Sequence, residues 1–315
     1  MIDNWKDTLD NNESLAAIFV DLRKAFDTID RGLLLEKLKL YGFNDKSHDL
    51  IENLLTDRKY KVKLNGNESV IKNSDIGVPE GSITGPLLFI IFINDICYLK
   101  TESKMILFAD DTTIFHKSKN ITDLKNVLIK DMLLFSEWLA NNKLLVNWSK
   151  THAIHFKPKH SRNFTVINAL TVNKNSIEFV KKTKLLGVMI DDCLSFEDHT
   201  RYICGKVTSK VATLSRNISI FSTRYRYNII KMFIVPHFEY CSILFYNNYG
   251  KNFEKLEKKY NWSFNKIVNI KSRNYESLTK FYDFLSKHNL LPLQIRLFNH
   301  FCFFLFKLVK LYFLA

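Results

Sequence analysis

The sequence is poor in the residues that punctuate or cross-link a chain. Its 315 residues include nine Gly and five Pro, too few for a collagen-like, linker-dominated or low-complexity protein. The five cysteines, Cys97, Cys193, Cys204, Cys241 and Cys302, are odd in number and widely scattered. No C-x-x-C pair supports a zinc or redox motif, and a reducing compartment fits this usage. Met1-Ile2-Asp3-Asn4-Trp5 lacks the basic start and apolar stretch of a leader, so an intracellular site, nucleus or cytoplasm, is expected rather than secretion. Long uncharged apolar runs are lacking too. The most apolar stretch, Leu290 to Leu314, is broken by Arg296, His300, Lys307 and Lys310 and falls short of the roughly 18 residues of a membrane-spanning helix. It reads as a packed or amphipathic helix, and no membrane partner is expected.

What is present is a globular composition, 46% hydrophobic and 25% charged, with enough length for one large or two modest domains. Lys and Arg number 46 against 32 Asp and Glu, a net charge of +14, which makes nucleic acid or an anionic membrane surface the first candidate partner. The excess is localised. Residues 1–200 hold 27 basic and 27 acidic side chains, whereas residues 201–315 hold 19 and 5.

Local patterns divide the chain further. Ala16 to Asp21 is an apolar strand ending in a carboxylate. Asp30 is placed to cap a helix running through Leu34, Leu38 and Tyr41 to Gly42. A second helix is expected around His48 to Leu55, a half-buried strand over Tyr60 to Leu64, a turn at Asn65-Gly66 and a returning strand over Val70 to Ile76. Gly77 to Pro86, the densest Gly and Pro cluster, feeds a buried helix beginning near Leu87. Met105 to Phe115 reads as two strands joined at Asp110-Asp111, and Thr122 opens an amphipathic helix ending at Asn141-Asn142. Strands follow at Ala153 to Phe156 and Leu185 to Ile190. Beyond Asp192 the patterns are helical and rich in Lys, Arg, Phe and Tyr, so a domain boundary is expected there, giving domains 1–192 and 193–315. No fixed-period repeat is visible.

Asp21 at a strand end and Asp110-Asp111 at a hairpin tip are poor choices for local stability. If these strands are neighbours, carboxylates about 4 Å apart repel by roughly 4 kcal/mol at an effective dielectric near 20, and a divalent cation removes that penalty. Oxygen ligands suit Mg²⁺ or Mn²⁺, and two such ions support phosphoryl transfer. A polar turn is the commoner reading of Asp110-Asp111 alone. His152, His155 and His160 lie close together in sequence without a completing ligand pattern, as do Cys193, His199 and Cys204.

The segments Ala17–Asp30, Gly77–Phe89, Phe108–Thr112, Asn147–Thr151 and Lys184–Asp191 together resemble the ordered motifs of non-LTR retrotransposon reverse transcriptases, the LINE-type enzymes and particularly the jockey-like group. Ile234 to Asn247 and Leu290 to Arg296 resemble the region that follows. The resemblance implies an α+β fold, a right-hand polymerase palm with an antiparallel sheet and helices on one face, followed by a mainly α-helical thumb. It implies two Mg²⁺ ions, or Mn²⁺, held by Asp21, Asp110, Asp111 and the Leu22 carbonyl. Lys150 matches a general acid toward pyrophosphate. Phe26, Glu80, Gly81 and Ala109 fall at the nucleotide pocket, with Phe26 against the sugar. Ser82, Leu186, Gly187, Arg224 and Arg226 are expected to meet nucleic acid, with Tyr225 and Tyr227 as further candidates. The partners implied are an RNA template, a DNA primer and dNTP.

Two departures stand beside the matches. Only twenty residues precede Asp21, where the family has a basic fingers segment and, earlier, an endonuclease; both are expected to be missing, so autonomous retrotransposition is not expected. Glu80 replaces the usual Gln, exchanging a hydrogen-bond donor for an acceptor with negative charge beside a triphosphate. The expected function is RNA-directed DNA polymerisation, with an inactive remnant that binds nucleic acid as the alternative.

Overall fold

A computed structural model describes residues 1–79, 81–157, 167–246, 250–268, 285–286 and 290–313. Glu80, His160 and Leu314 lie outside the described residues. The chain divides into two compact units, Asp3–Lys181 and Lys182–Ala315. The division falls ahead of the expected position at 192, which assigns the last β-hairpin to the helical unit.

The first unit opens with α1 (Ile2–Asp10), which sequence reading did not anticipate, and β1 (Ser14–Val20). Asp30 caps α2 (Arg31–Leu40) as its position suggested, its side chain accepting from the Leu33 N–H at 2.9 Å. Asn44 caps α3 (Asp45–Leu55) in the same way. The expected half-buried strand over Tyr60 to Leu64 is instead two short exposed pieces, β2 (Lys59–Tyr60) and β3 (Lys63–Leu64). β3 pairs with β4 (Asn67–Glu68) around the Asn65-Gly66 turn, and β2 with β5 (Lys72–Asn73). Alternation drew these residues as a sheet face, yet Tyr60, Val62 and Leu64 are all more than half exposed, because among the described residues nothing covers the ribbon.

After the Gly-rich loop come α4 (Thr84–Ile93), β6 (Lys104–Phe108), β7 (Asp111–Ser118), the long α5 (Ile121–Asn141), β8 (His152–Phe156) and a hairpin of β9 (Ala169–Val172) and β10 (Asn175–Glu178). The main sheet is antiparallel, in the order β6-β7-β1-β8. β1 sits centrally and is buried from Leu15 to Val20, as a strand covered on both faces must be. Ala16, Ile18 and Val20 join one core with Leu88 and Phe89 of α4 and Leu124, Leu128 and Phe135 of α5. The alternate residues face α1, whose fully buried Trp5 meets the rings of Phe19, Phe115 and Phe156.

The second unit begins with β11 (Lys182–Leu185) and β12 (Val188–Asp191). The strand expected over Leu185 to Ile190 is therefore a hairpin turning at Leu186-Gly187, both at positive φ, +45° and +85°. That is the backbone a two-residue hairpin with the native twist demands. Helices α6 (Glu197–Ser215), α7 (Thr223–Phe233), α8 (Val235–Glu239), α9 (Ile243–Tyr246), α10 (Lys251–Val268) and α11 (Leu293–Phe313) follow. Val207 of α6, Phe238 of α8 and Tyr260 and Phe264 of α10 are among its fully buried side chains. Among the described residues no helix is long and apolar enough to cross a membrane. The chain is thus α+β, an antiparallel sheet with helices followed by a mainly helical region.

Candidate active site

Strand register brings the carboxylates together. Val20 pairs with Thr112 as the last pair of β1 and β7, so Asp21 leaves β1 at the end of the sheet where β7 begins with Asp111. Side chains alternate along a strand, which places Asp21 and Asp111 on the face shared by Phe19 and Phe115, away from the α5 core. Neighbouring strands lie about 5 Å apart, close enough for carboxylates to repel by about 3 kcal/mol at an effective dielectric of 20. The Asp111 carboxyl responds to this setting. It is held above the ordinary Asp range, first by desolvation and then by the charges of Asp110 and Asp21.

Ala109 and Asp110 form the two-residue turn between β6 and β7, since Phe108 pairs with Asp111. Ala109 sits at φ +53°, the left-handed region that glycine occupies without cost and alanine does not. Thus the tip that aims the aspartates is a strained turn, with neither Asn-Gly nor Asp-Gly to relax it.

Asp21 is gripped from its other side. Beyond β1 the backbone meets residues 145–147 through Arg23 N–H to the Leu145 carbonyl at 2.9 Å and Asn147 N–H to the Asp21 carbonyl at 2.8 Å. The Asn147 side-chain amide donates to Asp21 Oδ2 at 2.7 Å, and the Asp21 N–H donates to Thr151 Oγ1 at 3.3 Å. Leu22 and Val146 form the bridge between these bonds. In that non-hydrogen-bonded position the Leu22 carbonyl points away from the 145–147 segment. Three carboxylates and a main-chain carbonyl are the all-oxygen chemistry that hard divalent cations take.

The other expected residues are distributed as follows. Lys150 is exposed in the turn following Asn147 and makes no ion pair among the described residues. Phe26 is half-buried, its ring 4.6 Å from that of Phe89. Gly81 is exposed at φ +69° with open space where a Cβ would stand. Ser82 accepts from the Gly85 N–H at 2.9 Å and donates to the Pro79 carbonyl at 2.7 Å, closing the start of α4. These lie in the same unit as the aspartates. In the helical unit, Leu186 and Gly187 form the β11–β12 tip, where the Tyr240 hydroxyl donates to the Leu186 carbonyl at 2.7 Å. Arg224 and Tyr225 are exposed, and Arg226 donates to the Phe221 carbonyl at 2.9 Å. Tyr227 is buried, 7% exposed, and so belongs to the core rather than to a contact surface. Further along this unit Lys184 and Lys206 stand over the Tyr202 ring and Lys259 over Trp262.

Several supporting residues were not read from the sequence. The loop ahead of α4 is fastened by Gly77, at φ +77° with the Asp27 carbonyl 2.6 Å from where a Cβ would stand, and by Gly85, where the Pro79 carbonyl lies at 2.7 Å. Arg31 secures the loop's approach, donating to the carbonyls of Gly77 at 2.8 Å, Ile76 at 2.9 Å and Leu55 at 2.6 Å, and to Ser74. Two other acidic groupings do not compete with the main site. The Asp191 carboxylate is occupied by the N–H groups of Cys193, Ser195 and Phe196 and the Ser195 hydroxyl. The carboxylates beside His48 on α3, Asp49 and Glu52, are exposed.

Residues 3–190 match the family described as reverse transcriptase (RNA-dependent DNA polymerase). Among relatives, the RNA-directed DNA polymerase from mobile element jockey of Drosophila melanogaster is 28% identical over 73% of this chain and 26% of its own length. The probable RNA-directed DNA polymerase from transposon X-element of the same fly is 27% identical over 74% and 26%. The chain thus spans about a quarter of the length of these relatives. Among solved structures, telomerase from Candida albicans in complex with a telomeric RNA fragment aligns with a TM-score of 0.47 at 14% identity, covering 91% of this chain and 45% of that one. With more than half of its residues matched, the chain belongs to the reverse transcriptase (RNA-dependent DNA polymerase) family, and jockey and X-element polymerases are among its relatives.

Proposed function

We propose that this chain is the palm and thumb portion of an RNA-directed DNA polymerase that joins dNTP to a primer 3′-hydroxyl on an RNA template. The observation carrying this reading is that Asp21, Asp110 and Asp111 lie at one end of the sheet, where the Asp111 carboxyl is raised by desolvation and then by the charges of Asp110 and Asp21. Asp21, Asp110, Asp111 and the Leu22 carbonyl are the residues that would hold two Mg²⁺ or Mn²⁺ ions. When bound, such ions supply activation of the 3′-hydroxyl and neutralisation of charge on departing pyrophosphate.

The chain's own groups do the rest. Lys150, exposed beside the Asn147 turn, donates a proton to the leaving pyrophosphate. Phe26, braced on Phe89, stands against the sugar and excludes a 2′-hydroxyl. Gly81, Ser82 and Ala109 border the nascent base pair, and in sequence Glu80 stands where the family usually has Gln. Leu186 and Gly187 support the primer end, while Arg224 and Arg226 contact the phosphate backbone.

Primer extension on RNA in Mg²⁺ or Mn²⁺, with wild type and Asp110→Asn in parallel, tests the reading. Product from wild type alone is the expected result. Retained duplex binding without wild-type product favours the second reading, a nucleic-acid-binding remnant, to which the concentration of basic charge in residues 201–315 already speaks.

A further inference from the structure

Resting on the metal-dependent reading above, we infer that Asn147 is a positioning residue that fixes which oxygen of Asp21 faces the divalent cations. Its amide Nδ2 donates to Asp21 Oδ2 at 2.7 Å, which commits that oxygen and leaves Oδ1 as the one free for a cation. The amide cannot flip without loss, because the Ser149 hydroxyl donates to Asn147 Oδ1 at 2.8 Å and so defines which end of the amide is the donor.

The side chain is not needed to join the two segments. Main-chain bonds from Arg23 to Leu145 and from Asn147 to Asp21 already do so, and Thr151 adds its hydroxyl, accepting from the Asp21 N–H and donating to the Asn147 carbonyl at 3.0 Å. What remains for the Asn147 amide is the carboxylate itself. A neutral donor suits that place: it satisfies one anionic oxygen without adding a cation that would compete with the metal or an anion that would add to the repulsion at the sheet end. Partners of ligating carboxylates typically affect metal affinity by about 10–100-fold.

The test is Mn²⁺ binding to the full chain, followed by electron paramagnetic resonance across pH, with wild type, Asp110→Asn, Asn147→Ala and Asn147→Asp. Asn147→Ala is expected to weaken binding by about 10-fold or more. The isosteric Asn147→Asp sets two carboxylates at hydrogen-bond distance, where they share a proton, so half-maximal binding should move upward by about one pH unit. A purely structural role would not move that midpoint. Wild-type affinity and pH profile in either folded Asn147 variant, with Asp110→Asn impaired, overturns the proposal alone. Failure of wild type to bind Mn²⁺, or unaltered binding in Asp110→Asn, removes the metal-dependent reading and this proposal with it. Should Asn147→Ala fail to fold, as judged by circular dichroism, the Asp variant decides.

Discussion

The two parts of the sequence on either side of residue 200 handle charge in opposite ways. Residues 1–200 balance basic and acidic side chains evenly, whereas residues 201–315 carry 19 and 5. Yet the balanced region contains the unbalanced site: three aspartates at one end of the sheet, with Asp111 above its ordinary range. Elsewhere in this region some acids are paired, Asp30 with Lys143 at 2.5 Å and Asp95 with Lys37 at 2.8 Å. Net charge therefore says little about where chemistry sits. The telling feature is a local group of like charges, in which the Asp111 carboxyl is raised by desolvation and by the charges of Asp110 and Asp21. In the helical unit the surplus is spread over surfaces, with lysines resting on aromatic rings, as suits a long polyanion rather than a point ligand.

The largest expected effect breaks the comparison on the sheet side. Asp21→Asn or Asp110→Asn should take primer extension below detection while leaving duplex affinity within about twofold, since the removed charge is repulsive toward phosphate. Loss of duplex binding in step with activity would contradict the division of labour. Next comes the core beneath the site. Trp5→Ala empties the α1 face of the sheet and should cost about 3–5 kcal/mol in urea unfolding; a cost under 1 kcal/mol would mean that α1 is dispensable.

Acid should strain both units in the same direction. His155 in the sheet unit and His199 in the helical unit are each pushed down to about 4 by burial. Unfolded histidine binds its proton near 6.5, so the unfolded state takes up more protons between those values. Stability is then full above about pH 6.5 and falls as pH drops toward 4, by up to about 3 kcal/mol per residue. His155→Phe should flatten that fall in chemical denaturation, and an unchanged slope would remove the assignment. The smallest effect sharpens the basic side. Arg224→Ala should weaken duplex binding several-fold and reduce the salt slope by about one, with primer extension at saturating duplex unchanged.

Much of this was legible because it is local. Asp30 announced a helix start by its own side-chain chemistry, and the carboxylates stood out at the ends of apolar strands where nothing local asks for them. Where the sequence misled, a pattern was right but its partner was missing: Tyr60, Val62 and Leu64 alternate as a sheet face should, and are exposed. Leu185 to Ile190 hid a turn because Leu186 takes a left-handed backbone, which its type does not signal. The Ile2, Trp5, Leu9 spacing of α1 is helical, but three apolar positions over so short a span carry little weight. Asn147 and Arg31 were illegible as supports for a simpler reason: their partners lie 126 and 24 to 46 residues away, and sequence alone does not bring them together.

The most direct test of the central claim is the titration of Asp111 itself, followed by carboxyl-carbon NMR with and without Mg²⁺. Convergence of the three carboxylates predicts a midpoint above the ordinary Asp range in the metal-free chain, falling on addition of Mg²⁺ and falling also in Asp21→Asn. A midpoint within the ordinary range that neither Mg²⁺ nor Asp21→Asn displaces would contradict it.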